Sequence, residues 1–594
     1  MTSLPLILAL TGCSPQRVES SGDDTSVDTS LDTASERDTS SDSGDDSAVA
    51  PPEDLVLRTL PRLPGAEVQA AFRAVRAHVC PDPSPREALG PWLESHPPGW
   101  DAQPAGVDHE TAGWGVAIAD VDRNGTLDVY LPHFGPDQLF LRGHDGSVMD
   151  ASDRLPGLSD LSFGATPVDA EGDGDIDIAV ANEGGNVLLL NDGSGRFSAV
   201  ADSTFAGQAG VERAHHLSWG DLDGDGRLDA FVPTFYHLGG DSPDENLLLR
   251  SRGRLRWERV RGWAGPEGAG LEVSPANAGG LVDLDGDGNL DVYVINDKPG
   301  EGFRSGARFG DGRGGFVASE GDGLDVAMQG MGLGLGDVNG DGVLDMVVTG
   351  WDELALLVSV AGADEGGVAR ARVWANAAMA RGVVTGGEAV VGWAAHLADL
   401  DNDTDLDLLV AYGPDYSPDG SLGQGPRENP VRQPIVVYRN EGASFVRDDA
   451  LQPGAPGNHR GLVVTDLDGD GWLDLVARDL AAGPARMHLA RCGSARAVEL
   501  QLVQLATNPE ALGARVWVQL PDGRVLLRDA LVGAEGIASG VSPTLHVGVG
   551  DAAAVNVLVR WPDGGWSRAD GLATGSTFVI VREGAPSPRP SAAR

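Results

Sequence analysis

The sequence predicts an all-β fold: a seven-bladed β-propeller with cation-binding inter-strand loops, followed by a small β-rich C-terminal domain. Three observations predict it. One nine-residue acidic pattern recurs seven times, with successive starts 49, 52, 62, 54, 62 and 67 residues apart. Each copy runs into a short apolar stretch rich in β-branched residues, such as Ala-Phe-Val after Asp229, Val-Tyr-Val-Ile after Asp291 and Met-Val-Val after Asp345. Gly is abundant, at 84 residues, and aromatics make up 5%, which favours turns and short elements over long helices. Continuous apolar runs are what strands buried on both faces look like. A strand-rich unit of this length, repeated in tandem, fits the four-stranded blade of a propeller.

The repeated loop reads Asp-x-Asp-x-Asp-Gly-x-Leu-Asp. Its oxygen-bearing residues at positions one, three, five and nine are Asp120, Asp122, Asn124 and Asp128 in the first copy. They are Asp169, Glu171, Asp173 and Asp177 in the second, and Asp221, Asp223, Asp225 and Asp229 in the third. The fourth has Asp283, Asp285, Asp287 and Asp291; the fifth has Asp337, Asn339, Asp341 and Asp345. The sixth has Asp399, Asp401, Asp403 and Asp407, and the last Asp466, Asp468, Asp470 and Asp474. Oxygens at alternate positions converge when the chain curls tightly, position seven can add a carbonyl, and position nine closes the shell. Calcium accepts six to eight oxygens at about 2.3–2.6 Å in irregular geometry, whereas magnesium demands a stricter octahedron. The expectation is up to seven calcium ions. An EF-hand is excluded, because its loop needs a Glu at position twelve and flanking helices. Position twelve here is Leu131, Val180, Val232, Val294, Val348, Val410 or Ala477.

Position six is Gly in six copies and Thr404 in the sixth. A β-branched residue at positive φ is strained, so the loop at Asp399 is expected to be distorted or to bind more weakly. The seven loops hold 28 of the acids behind the net charge of −46. Such a chain should repel nucleic acid.

The residues around the loops carry a resemblance. Trp114-Gly115-Val116-Ala117-Ile118-Ala119-Asp120, Leu190-Asn191-Asp192-Gly193-Ser194-Gly195-Arg196-Phe197 and Tyr438-Arg439-Asn440-Glu441-Gly442 resemble the FG-GAP/VCBS repeats of integrin α-subunit propellers and secreted bacterial proteins. The resemblance spans about residues 106–494 and implies calcium-loop blades. Asn508, Leu512-Gly513-Ala514-Arg515-Val516, Leu545-His546-Val547-Gly548-Val549-Gly550 and Val559-Arg560-Trp561-Pro562-Asp563-Gly564 resemble the ASPIC/UnbV module, placed over 495–583. The pairing of the two is similar to the cartilage acidic protein family, without its EGF-like tail. The last residues, 584–594, read as a disordered tail.

The N-terminus reads as an address. Leu4 to Leu10 form a short apolar run, and Leu10-Thr11-Gly12-Cys13 resembles the bacterial lipoprotein box, which implies lipidation of Cys13 after removal of residues 1–13 as a signal peptide. Residues 14–54 hold 12 acids against two arginines and almost no large apolar side chain, so they are expected to be a disordered tether spanning about 35 Å. The expected location is outside the cytoplasm, as an outer-membrane or cell-surface lipoprotein touching the membrane through its lipid alone, or as a secreted protein. Residues 55–105 include a helical spacing of Val68, Phe72, Val75 and Val79, which predicts a short amphipathic helix capping the propeller. Cys80 and Cys492 flank the repeats and can pair in an oxidising compartment; with no C-x-x-C, structural zinc is not indicated.

No nucleophile elbow or H-E-x-x-H motif occurs, and Lys298, the only lysine, lies outside any phosphate loop. His109, His215, His216, His396 and His459 precede loops, where they read as channel lining, or alternatively as ligands of a transition metal. The expected function is therefore non-enzymatic display or adhesion, with an extracellular protein or polysaccharide as partner. A lectin-like polysaccharide binder and an enzyme with a site on the propeller face are the alternatives.

Overall fold

The computed structural model describes residues 59–80, 92–95, 113–158, 161–200, 205, 213–236, 242–265, 269–318, 321–363, 369–385, 390–414, 432–480 and 485–584. Cys13, the tether, His109 and the tail from 585 on lie outside these residues. Among the described residues the molecule is all-β, its helical turns being no longer than Ala269–Glu272, and none is long and apolar enough to cross a membrane.

Seven antiparallel meanders follow one another along the chain. In each, the acidic loop joins the first strand to the second: Ala117–Ala119 to Asp128–Leu131 in the first sheet, His459–Thr465 to Asp474–Asp479 in the last. Strands such as Asp229–Val232 and Asp291–Asn296 are buried along their whole length, as the continuous apolar runs require. Their side chains form cores between neighbouring sheets, Trp219 with Val168 for example, and Val463 and Val476 with Ile118 and Val129 where the last sheet meets the first. The arrangement is that of a β-propeller.

The last sheet is completed from far upstream. Its fourth strand is Trp92–Ser95, antiparallel to Arg486–Ala490, so chain from before the first sheet closes the ring. Cys80 and Cys492 are disulfide-bonded beside this closure, with Cα atoms 6.0 Å apart across 412 residues of sequence.

The expected helix over 66–79 is a strand. Ala70–Ala77 pairs antiparallel with Ser576–Arg582, inside the C-terminal domain rather than as a cap on the ring. Val68, Ala70 and Phe72 pack on that domain's core, while Val75 and Val79 are 58% and 71% exposed. Burial at alternate residues is the strand period; a helix would have sunk all four apolar positions. With this strand included, the domain has two four-stranded sheets around Val498, Leu500, Val516, Val547, Val557, Trp561 and Ile580.

Between its strands Val525–Asp529 and Thr544–Gly550, the domain sends residues 532–542 through the middle of the ring. Trp219 N donates to Val532 O at 3.3 Å, Leu333 N to Gly536 O at 3.2 Å, and Ala165 N to Ala538 O at 3.0 Å. Gly540 N and Ser542 N donate to Val116 O and Ile118 O, each at 3.0 Å, and Gly540–Val541 adds a parallel strand to Ala117–Ala119. Backbone approaches this close need small neighbours: a Cβ on Gly115 would stand 1.7 Å from Ala538 O, and one on Gly164 2.2 Å from His215 O. The ring therefore has a plugged centre.

Candidate metal centres

All seven loops share one hydrogen-bond pattern. The first-position carboxylate accepts the backbone N–H of position six in every loop, at 2.7–3.0 Å, from Gly125, Gly174, Gly226, Gly288, Gly342, Thr404 and Gly471. Positive φ at that residue makes this possible; the glycines have 84–93° and Thr404 has 94°. The sixth loop is thus not distorted: Thr404 takes the strained conformation, and its hydroxyl accepts from Arg524 at 2.6 Å. Position four is left-handed as well, with Arg123 at 58° and Asn402 at 59° where the other loops have glycine.

The ninth residue does more than the sequence implied. One oxygen of each accepts the position-two N–H, as Asp128 does from Val121 at 3.0 Å and Asp474 from Leu467 at 2.8 Å. The other accepts an N–H of the third strand: Arg142, Asn191, Ser251, Gly310, Ser359, Asn440 and Ala490 for the seven loops, at 2.6–2.9 Å. Asp128, Asp177, Asp229, Asp291, Asp345, Asp407 and Asp474 are each at most 1% exposed. They staple loop to sheet beside the loop's other carboxylates; ligand oxygens of Asp120, Asp122 and Asp128, of Asp221, Asp223 and Asp225, and of Asp283, Asp285 and Asp291 lie within 4.8 Å of one another.

These residues fit a hard cation. Asp223 Oδ1, Asp283 Oδ1 and Asp401 Oδ1 are buried without a hydrogen-bond partner among the described residues, an unstable state for a carboxylate oxygen unless a cation meets it. Burial first, and neighbouring carboxylates second, push Asp128 up to about 7 and Asp177 to about 8. Asp337 goes to about 7 and Asp399 to about 8 for the same leading reason. Asp283 is the exception: burial raises it, but Arg515 and Arg560 from the C-terminal domain outweigh that and hold it low. Arg515 also grips Asp529 bidentately at 2.6 and 2.7 Å. Those arginines lie in the Leu-Gly-Ala-Arg and Val-Arg-Trp-Pro stretches, so the domain docks on the loop-bearing side of the ring.

Asn191 and Asn440, picked out in the flanking motifs, bridge adjacent sheets. Asn191 Nδ2 donates to Ile176 O at 3.0 Å in its own loop and to Val121 O at 2.7 Å in the preceding one. Asn440 does the same with Leu406 O and Val338 O, at 3.1 and 3.2 Å. The histidines before the loops are dispersed among separate partners. His215 packs between Trp114 and Phe163, His216 bonds Gly533 O in the plug, and His396 Nε2 lies 2.8 Å from Leu462 O.

Residues 504–587 match the family described as ASPIC and UnbV, and residues 135–232 and 283–348 match the FG-GAP-like repeat. The chain carries FG-GAP-like repeats and a C-terminal ASPIC/UnbV domain. It is a distant homologue of cartilage acidic protein 1, 26% identical to the Homo sapiens protein over 514 residues, which cover 79% of this chain and 71% of that one. The Xenopus tropicalis protein is 25% identical over 508 residues, covering 79% and 72%. Among solved structures, an Agrocybe aegerita lectin described as recognising non-reducing terminal N-acetylglucosamine aligns over 63% of this chain and 93% of its own, at 17% identity and TM-score 0.39. The Dos1 propeller aligns over 63% and 77%, at 8% identity and TM-score 0.34. Likeness at that level says nothing about ligand or activity. The FG-GAP-like match and the acidic clusters agree on calcium as the ion class.

Proposed function

We propose that this protein is a non-enzymatic calcium-binding display or adhesion module, a seven-bladed propeller held at a cell surface by a lipid on Cys13. The observation that carries the reading is the common loop geometry: seven acidic loops repeat one backbone pattern, carboxylate oxygens converge within 4.8 Å in the loops at Asp120, Asp221 and Asp283, and buried oxygens at Asp223, Asp283 and Asp401 have no hydrogen-bond partner among the described residues. The ring supports a scaffold role: its channel is filled by residues 532–542, so its rigid outer surfaces are what it can offer a partner. Thermal unfolding of residues 55–594 with millimolar calcium, with magnesium and with EDTA tests it. A large rise specific to calcium is expected, because an ion that binds only the folded form raises the melting temperature with its concentration; equal curves in all three would reduce the loops to acidic turns.

A second reading, binding of extracellular polysaccharide, is favoured by the aromatic cluster at the channel mouth. Trp114, Phe163, His215 and Trp393 stand six residues before their loops and pack ring to ring, with centroids 4.6–5.3 Å apart. Arg460, in the same position of the last sheet, lies 3.9 Å over Trp393. Trp114 is partly exposed there, and such faces stack well on sugar rings. Glycan-array binding that is lost in EDTA would favour this reading over protein adhesion.

A further inference from the structure

A second group of metal ligands lies beside the seventh loop and shares only its first carboxylate. Glu499, on strand Arg496–Val503, has His546 directly across from it on one neighbouring strand and Thr577 on the other. Directly paired residues project to the same side of a sheet, so the three form a row. That row faces the seventh loop: His546 Nε2 lies 3.2 Å from Gly471 O, and the His78 ring packs on Gly471. His78 Nε2 is 3.6 Å from Glu499 Oε2, and ligand atoms of His78, Asp466 and Glu499 all fall within 4.8 Å of one another. The side chains of His78 and Glu499 are only 6% and 2% exposed. An independent observation points to a ligand: His546 Nδ1 is buried and has no hydrogen-bond partner among the described residues. A cavity of about 340 Å³, bordered by His78, Asp470, Trp472 and the Cys80–Cys492 bond, adjoins the group.

The donor set separates this group from the calcium loops. Calcium takes oxygen alone, whereas imidazole with carboxylate suits zinc and its neighbours in the transition series. We propose that His78, Glu499 and Asp466, joined by His546, bind one zinc-class dication where the seventh loop meets the C-terminal domain. Arg76 Nη2, 3.2 Å from Glu499 Oε2, balances the carboxylate until the ion enters; its side chain is 38% exposed and has solvent to swing into. Thr577 Oγ1 donates to Glu499 Oε2 at 2.6 Å and so orients it, the supporting role that outer hydrogen bonds play at metal sites. The site does not require an ion in the seventh loop, so it stands independently of the calcium reading.

The test uses the full chain, saturated with calcium and dialysed against zinc. Bound zinc and calcium are both counted by elemental analysis, and cobalt replaces zinc for an absorption spectrum. One zinc is expected to be retained, with a cobalt spectrum of mixed nitrogen and oxygen ligation. His78→Gln and His546→Gln, made separately so that a folding defect in one leaves the other as the test, should each lose the zinc and keep the wild-type calcium count. Thr577→Val should weaken zinc about 10–100-fold. No retained zinc in the wild type, or the same zinc in both histidine variants, would overturn the site. Zinc retained without any calcium uptake would sink the calcium reading and leave this one standing.

Discussion

Thr404 and Gly548 show how single residues set the sixth loop. Thr404 occupies with φ 94° a position that six other loops give to glycine. A β-branched side chain held there costs about 1–3 kcal/mol, and its hydroxyl recovers part of that through the bond from Arg524 at 2.6 Å, worth about 0.5–1.5 kcal/mol. Thr404→Gly should therefore stabilise the protein by about 1 kcal/mol and tighten calcium at that loop; calorimetric calcium titration with unchanged affinity would show that the strain does not reach the site. Gly548 approaches the oxygen that accepts the Thr404 N–H, and a Cβ there would lie 2.0 Å from Asp399 Oδ2. Gly548→Ala should cost about 1–3 kcal/mol by overpacking, measured by denaturant unfolding. The strain at Thr404 was legible in the sequence because the repeat supplies its own reference. The need for glycine at 548 was not, since it comes from a contact across 149 residues of sequence that no local pattern encodes.

At the scale of the loop and its strands, the carboxylates make stability depend on pH in a direction opposite to that of an ordinary ion pair. Burial, then like charge, raises Asp128 to about 7 and Asp177 to about 8, above the unfolded value of about 3.9. Without metal the folded state then holds more protons than the unfolded state between about pH 4 and 8, so stability falls as pH rises through that window. Calcium requires the ionised form and so offsets the loss most at the high end. Melting temperature should drop from pH 5 to 8 in EDTA and hold level or rise in millimolar calcium; parallel curves would mean the loops do not exchange protons for calcium. The flanking strands were readable because repeat, apolar run and turn all agree. Ala70–Ala77 was misread because Val68, Phe72, Val75 and Val79 match a helical stripe, and only the partner strand Ser576–Arg582 decides between the periods. The plug at 532–542 has no period at all; its backbone bonds reach the inner strands of the first, second, third and fifth sheets, contacts visible only once the ring exists.

The whole ring is held closed by three devices of different physical kind. Trp92–Ser95 completes the last sheet by backbone bonds, the Cys80–Cys492 bond ties the same junction covalently, and the C-terminal domain docks across the loop side through Arg515 and Arg560 on Asp283. Only the third depends on the charge of the loops. Removing calcium sets carboxylates against one another in the loops, and the domain is then kept in place by the plug, by arginines and by the disulfide. The bond closes a loop of more than 400 residues, and a disulfide of this kind is worth about 2–4 kcal/mol. A Cys80→Ser, Cys492→Ser double variant should lose about that much when unfolded by denaturant in calcium. In EDTA the same variant should open the junction before the rest of the ring. Hydrogen exchange reads this directly: amides of Arg486–Ala490 and Ala70–Ala77 should lose protection together, ahead of strands such as Asp291–Asn296. Uniform loss across all seven sheets would instead make the ring one cooperative unit, with the disulfide adding stability but no local control.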